Sequence, residues 1–510
     1  MKPYPYYKLD SITDLKMLVA KRAEETPEKT AFIYTDDDGS VRTVTYKAFL
    51  ADINAAGTYL AAAGIKDTNV ALLGENSYEW VVAFFAVADG GNTAVPMDSR
   101  QPADNIRDLI GYGDCTAIIY SDKFRAFAES LTEIRTFPLS SFAEWISAGN
   151  EEIKKGNTEF TDYPVDPEKM AVLVFTSGTT GKPKGVMLSQ KNLAEDVNYA
   201  VKNFVLEGTA MTLLPLHHMF GLGMGIFGVL NYEYPAYICR SIRSIAKDFQ
   251  IGKPQTIFAV PMIVESFYKQ FMMMAKRAGA PALPPEAVQQ FFGGKLKNII
   301  CGGAPLDPMY VEAFRKWGIT VLNGYGITEC SPVVAVNRNE DYCDGSVGRV
   351  IPGCEVKIAE DGEILARGGN VMLGYYHNEE ATKEAMAGGW FHTGDLGKIS
   401  EDGYLFITGR IKNLIITHSG ENVSPEEIEE KLLQDPAVSE AVVYGEDNVL
   451  AAAIYPEPSA HTELPYFQAL ADRLNAKEPA YRQIKKIVLK TEPFVRNSTG
   501  KIVRSLIGKA

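Results

Sequence analysis

No apolar run in this chain is long enough to cross a bilayer, basic residues are not in excess, and cysteines are few. Each lack removes a class of function. The longest apolar stretches are Trp80–Ala88 and Leu213–Leu230. The first is too short for a span, and the second is broken by Pro215, His217, His218 and four glycines. A formal net charge of −13 leaves no electrostatic footprint for a nucleic acid or an anionic membrane. Peripheral membrane contact stays open. The six cysteines (115, 239, 301, 330, 343 and 354) show no CxxC or other metal spacing, so reduced thiols in a cytoplasmic protein are expected. The opening MKPYPYYKLDS has no apolar core of the kind a secretory leader carries, and none is expected. Internal repeats and low-complexity tracts are also missing.

What is present reads as a folded enzyme. With 46% hydrophobic and 23% charged residues, 510 residues exceed what one compact core organises, so a large domain and a smaller one are expected. Helical patterns at Ile12–Glu25, Tyr46–Ala63 and Ser77–Ala88 alternate with extended runs. These are Thr30–Tyr34, Asn69–Leu73, Ala117–Tyr120, Met170–Thr176, Thr256–Val260, Asn298–Cys301 and Thr320–Leu322. Short strands separated by helices imply βαβ units and largely parallel sheets. Gly149–Pro167 reads as a polar surface connection, and Met272–Met274 as core. The texture changes after about residue 408. Ser424-Pro425-Glu426-Glu427 is a helix start, with Ser as N-cap and Glu closing a capping box. Strands at Ala441–Tyr444, Leu450–Tyr455 and Ile484–Leu489 and a helix over Tyr466–Ala476 complete a small α+β unit.

The chemistry begins where the run Met170–Phe175 ends in Thr176-Ser177-Gly178-Thr179-Thr180-Gly181-Lys182-Pro183-Lys184-Gly185. A strand that delivers glycines, hydroxyls and two lysines into a loop suits a polyphosphate. Glycine lets backbone N–H groups converge on the anion, hydroxyls donate, and lysines neutralise charge. A Walker A loop needs four residues before its Gly-Lys and a hydroxyl after it. Here two residues separate Gly178 from Gly181, and Pro183 follows Lys182. It is a different phosphate loop.

This loop resembles the signature of the adenylate-forming superfamily of acyl- and aryl-CoA synthetases, luciferases and peptide-synthetase adenylation domains. Further motifs follow in that family's order: Cys301–Leu306 (CGGAPL), Asn323–Glu329 (NGYGITE), Gly389–Asp395 (GWFHTGD), Gly409–Lys412 (GRIK) and Asn497–Ile502 (NSTGKI). The resemblance covers nearly the whole chain from about Ile12. It implies an α/β fold, with a large N-terminal domain of mixed or parallel sheets and packed helices over 1–409. A hinge at 410–412 and a small mobile α+β C-terminal domain over 413–510 would complete it.

The resemblance also implies roles. The phosphate loop from Thr176 to Lys184 would hold ATP. Glu329 would hold Mg²⁺, Thr328 contact the α-phosphate, Tyr325 stack on adenine beside Gly326, and Asn323 face the adenine amino group. Gly303, Ala304 and Pro305 would flank the base. Asp395 would accept both ribose hydroxyls, supported by Arg410. Lys501 would bridge the carboxylate and the nucleotide in the adenylation transition state, where positioned cations dominate. The small domain would then turn about Lys412, withdrawing Lys501 and bringing Gly420 towards the pantetheine arm of CoA. The stretch His418–Asn422 resembles the longer form found in long-chain acyl-CoA synthetases.

Adenylation domains for amino acids carry an aspartate for the α-ammonium downstream of the phosphate loop. The corresponding Leu214–Gly221 (LPLHHMFG) has no carboxylate, and an unpaired buried ammonium is costly, so an α-amino acid is not the expected substrate. The paired histidines match the CoA-ligase pattern, with His218 lining the carboxylate site. Gly221 with Gly302 and Val334 would border the acyl group, and Met219, Met224 and Phe227 would wall an apolar tunnel. ATP-dependent activation of a medium- or long-chain fatty acid and transfer to CoA is therefore expected. An aryl acid, an acyl carrier protein as acceptor, or a catalytically silent binder are the alternatives.

Overall fold

The structure, a computed structural model, describes residues 7, 9–36, 38–176, 183–416, 421–446, 449–458, 460, 463–496 and 502–507. The fold is α/β. The chain divides into two compact units: Met1–Val356 with Ala366–Phe391 and Asp402–Tyr404, and Lys357–Leu365 with His392–Glu401 and Leu405–Ala510.

Two sheets organise the first unit. In space, the seven-stranded sheet runs Gly374–Tyr375, Lys184–Ser189, Met170–Thr176, Thr93–Met97, Asn69–Leu73, Cys115–Tyr120, Arg135–Pro138. Its last five strands are parallel, and Lys184–Ser189 turns back antiparallel to Met170–Thr176. The nine-stranded sheet has a parallel centre, in which Thr256–Ala259, Asn298–Cys301 and Thr320–Gly326 lie side by side. Antiparallel strands close both its edges, Val333–Val336 and Arg349–Val350 on one side and Val41–Thr45 on the other. Buried strands of parallel sheets read as unbroken apolar runs because both faces are covered. Asn69–Leu73 and Thr93–Met97 obey this rule, and the helix Tyr78–Ala88 has all but Glu79 buried. Ser77 starts that helix by accepting from Trp80 N at 3.1 Å.

In the second unit, Val438–Glu446, Val449–Pro456 and Ile484–Leu489 form a three-stranded sheet. The helices Pro425–Leu433 and Leu464–Asn475 pack against it through Ile428, Leu432, Phe467 and Leu470.

Three local expectations fail, each for a physical reason. Gly149–Pro167 is not simply a polar connection. Its first residues continue the helix Phe142–Lys154, where a Cβ on Gly149 would lie 1.9 Å from Ala55 O, and Phe160 is buried. Ser424 does not close a capping box: its hydroxyl donates to Thr408 O at 2.8 Å instead of accepting from the helix. Met273 and Met274 are exposed and Met272 half-buried, because the helix Pro261–Arg277 buries Ile263, Val264, Phe267, Phe271 and Ala275.

Candidate functional site

The phosphate-loop strands come first. Met170–Thr176 and Lys184–Ser189 pair so that Thr176 stands opposite Lys184. Both side chains are half-buried. Ser177, Gly178, Thr179, Thr180, Gly181 and Lys182 lie outside the described residues. Lys184 lays its ammonium 4.5 Å from the centre of the Tyr375 ring.

The second wall is the end of Thr320–Gly326 and the turn after it. Asn323 stands beside Cys301 in the parallel register, so the two motifs leave the same sheet edge together. This is the carboxyl end of parallel strands, where open α/β sheets place their ligands. Gly303, at φ +88°, Ala304 and Pro305 are exposed there, while Asn323, Tyr325, Gly326, Thr328 and Glu329 are half-buried. Gly326 has no space for a side chain, since a Cβ would meet Pro332 O at 2.3 Å.

Glu329 sits in the short 3₁₀ turn Thr328–Cys330. Its Oε1 accepts from the Tyr375 hydroxyl at 3.0 Å, and its backbone carbonyl accepts from Met372 N at 2.8 Å. Burial first, and the Glu329 carboxylate second, push the Tyr375 phenol far above its ordinary range, so it remains a donor. Tyr375 therefore joins two expected phosphate-side groups, Lys184 and Glu329.

The segment carrying Tyr375 also holds the turn. Asn370 Nδ2 donates to Cys330 O at 3.0 Å and Val333 O at 2.8 Å. Asp196, fully buried, accepts from Val333 N at 2.9 Å, and burial raises its carboxyl well above the usual carboxylate range. Tyr375, Asn370 and Asp196 were not singled out in the sequence. The signal for Asn370 and Tyr375 there was a polar Asn directly before the apolar run Val371–Tyr376, which ends in paired tyrosines; Asp196 carried none.

A single carboxylate that keeps an oxygen clear of its hydrogen-bond partner fits Mg²⁺, which takes one or two carboxylates and fills its shell with phosphate and water. An all-protein cage would need more, and no group of three or more His, Cys, Asp or Glu side chains could hold a metal among the described residues.

On the side expected to meet the acid, the irregular helix Phe220–Gly228 carries Gly221 and Gly223. A Cβ on Gly223 would lie 3.4 Å from Pro332 Cδ, so this helix lies against the residues that follow the Glu329 turn. Gly302 lies beside Gly324 O and Phe220, at 3.3 and 3.5 Å from an added Cβ. Val334 is fully buried. His218 is half-buried with its ring 4.4 Å from that of His217. His217 Nε2 lies 3.5 Å from Asp98 Oδ1, yet burial and then His218 drive its pKa down to about 3, so His217 is neutral. Met219, Met224 and Phe227 belong to the main core. Phe227 packs on Phe84 and Phe85 with centroids 5.5 and 5.6 Å apart.

Asp395, Arg410 and Lys412 belong to the second unit. Asp395 and Arg410 are cross-strand partners between Phe391–Ile399 and Leu405–Arg410, and their side chains form an ion pair. Asp395 is 4% exposed. Lys412 follows in the turn Ile411–Asn413; partial desolvation and then Arg410 lower its amine, against the pull of Asp395. Much of the side chain is exposed, so that effect is screened. Gly420 and Lys501 lie outside the described residues.

The chain matches the AMP-binding enzyme family over residues 19–376 and the AMP-binding enzyme C-terminal domain over residues 412–510. It is 30% identical to a long-chain-fatty-acid–CoA ligase, FadD15, of Mycobacterium bovis, across 82% of this chain and 78% of that one. It is 28% identical to a 2-succinylbenzoate–CoA ligase of Bacillus cereus, across 83% of this chain and 84% of the relative. Among solved structures, o-succinylbenzoate CoA synthetase (MenE) from Bacillus subtilis, in complex with its acyl-adenylate intermediate OSB-AMP, is 26% identical. That superposition covers 98% of this chain and 99% of the other with a TM-score of 0.80. One family segment that contains the phosphate strand and the Glu329 turn, followed in order by the family's C-terminal segment, leads to one conclusion: this chain belongs to the family of AMP-binding enzymes.

Proposed function

We propose that this enzyme, an AMP-forming acid–thiol ligase, activates a medium- or long-chain fatty acid with ATP and passes the acyl group to CoA. One carboxylate oxygen attacks the α-phosphorus, the bond to the bridging oxygen breaks, and pyrophosphate leaves. The CoA thiolate then attacks the acyl carbon and AMP leaves. The observation that carries this reading is the meeting of Lys184 and Glu329 at Tyr375, which sets a cation and a carboxylate at one strand edge. Glu329 would hold Mg²⁺, which when bound neutralises charge on the departing pyrophosphate.

The remaining roles follow the motifs. Tyr325, Asn323 and Gly303–Pro305 border the adenine, and Thr328 meets the α-phosphate. Asp395 accepts the ribose hydroxyls, as a buried carboxylate paired to Arg410 can. Lys501 serves the first half-reaction and Gly420 the second, with Lys412 at the hinge between domains over 1–409 and 413–510. His218 borders the substrate carboxylate. Gly221, Gly302 and Val334 border the acyl chain. Six free cysteines suit a reducing, cytoplasmic setting.

The fatty-acid reading draws on the likeness to the long-chain ligase. An aryl acid is the second reading, favoured by the likeness to the 2-succinylbenzoate ligase and by Phe227 lying in the core. ATP–pyrophosphate exchange across fatty, aryl and amino acids, followed by product analysis with CoA or an acyl carrier protein, decides between them. Exchange strongest with acids of eight or more carbons, and a CoA thioester as product, is expected. Exchange only with aryl acids overturns the fatty-acid reading. No exchange with any acid overturns the enzyme reading.

A further inference from the structure

Tyr375 is 6% exposed and belongs to the two-residue strand Gly374–Tyr375, opposite Val186. Its position is fixed from several directions. Tyr375 N donates to Thr382 Oγ1 at 2.9 Å. On either side, Leu373 N donates to Met187 O at 3.0 Å and Tyr376 N to Gly185 O at 2.7 Å. Met372 N reaches the other motif, at Glu329 O. One short segment thus grips both the phosphate-loop strand and the Glu329 turn.

A buried tyrosine needs an acceptor for its hydroxyl, and any backbone carbonyl would serve. Here the acceptor is Glu329, and the ring faces Lys184. With Oε1 taken by the phenol, Glu329 is held in one orientation and presents its other oxygen. Mg²⁺ demands near-ideal octahedral geometry, so the orientation of a ligating carboxylate controls affinity. Groups that hydrogen-bond a metal ligand typically change metal affinity or activity about 10–100-fold when removed.

We propose that Tyr375 is a positioning residue for the metal–nucleotide grip, its hydroxyl orienting Glu329 and its ring seating the Lys184 ammonium. The inference rests on the reading of Glu329 as the Mg²⁺ ligand, and the test separates the two. Tyr375→Phe removes only the hydroxyl, whereas Tyr375→Leu removes the ring as well.

The experiment titrates Mg²⁺ and measures ATP binding to the full chain by calorimetry, alongside ATP binding in EDTA, the KM for the acid and Tm. In Tyr375→Phe the Mg²⁺ needed for half-maximal binding should rise about 10–100-fold. ATP binding in EDTA and the KM for the acid should stay as in the wild type. Tyr375→Leu should also weaken binding in EDTA, because Lys184 loses its seat. Glu329→Gln should raise the Mg²⁺ requirement at least as far, and Tyr375→Phe should add nothing in that background. An unchanged requirement in Tyr375→Phe, with a shift in Glu329→Gln, overturns the proposal. Additive shifts in the double variant do the same, as does equal weakening with and without Mg²⁺ together with a fall in Tm. No shift in Glu329→Gln overturns the reading of Glu329 itself.

Discussion

Arg410 and Asp395 stand directly opposite one another across two antiparallel strands, and Arg410 Nη2 lies 3.2 Å from Asp395 Oδ2. Thr393 Oγ1 accepts from Asp395 N at 3.1 Å, so the carboxylate is fixed from its backbone as well as from its head. In the role proposed for Asp395, such a pair would hold a buried charge for the ribose hydroxyls.

Removing the carboxylate should therefore act on ATP before it acts on the acid. A hydrogen bond to a charged group is worth about 1.5–3 kcal/mol. Asp395→Ala should raise the KM for ATP at least about tenfold and leave the KM for the acid near wild type. Arg410→Gln should do the same more weakly and lower Tm, because it strands a buried carboxylate. Steady-state kinetics with each substrate varied in turn, and thermal unfolding, check both.

Lys501 is expected to serve one half-reaction only. Lys501→Ala should abolish pyrophosphate exchange and largely spare thioester formation from preformed acyl-AMP. Equal loss in both half-reactions would remove the assigned role.

Glycine positions distinguish space from strain on the acid side. A Cβ on Gly221 would sit 2.6 Å from Pro215 O, a backbone atom that cannot give way cheaply. Gly221→Ala should lose folded yield. At Gly302 the nearest atom to an added Cβ is Gly324 O at 3.3 Å, which a small shift accommodates. Gly302→Ala should fold and discriminate against the bulkier acids of a panel by about tenfold in kcat/KM, the order expected of one methyl group in an apolar pocket.

Asp89 supplies a pH dependence. The side chain is 1% exposed and near Lys16, Asp14 and Gln190, whose Nε2 donates to Oδ1 at 3.4 Å. Burial raises its pKa from 3.8 to about 8. The folded chain thus binds this proton more tightly than the unfolded chain does. Its stabilising contribution is whole below about pH 4 and is lost as pH rises towards 8. Asp89→Asn should show a smaller drop in Tm between about pH 5 and pH 8 than the wild type. A parallel drop in both proteins would exclude Asp89 as the source.

Much of the fold is legible because continuous apolar β-branched runs leave little choice. Met170–Thr176, Asn298–Cys301 and Asn69–Leu73 are strands with the bounds their patterns predict. Legibility failed where a residue's partner lies far away in sequence. Phe160 is buried although its neighbours are polar, and Ser424 has the sequence of a cap but bonds Thr408. The methionines 272–274 carried a warning, since three consecutive helical residues sweep about 200° and cannot all face one core. At the site, the glycine- and lysine-bearing motifs announce themselves by composition. Tyr375 and Asn370 do not, because tyrosine and asparagine are common core and turn residues. Only the fold brings them to Glu329 and Cys330.

The amides of Met372, Leu373, Tyr375 and Tyr376 each donate to a different partner: Glu329 O, Met187 O, Thr382 Oγ1 and Gly185 O. Peeling this one stretch away would uncover the edge of the phosphate-loop strand and the Glu329 turn in a single event. Its four amides are therefore a clock for the integrity of the whole grip. In hydrogen–deuterium exchange they would trade protons together, at a rate set by that shared opening and slowed by whatever ligand bridges Lys184 and Glu329.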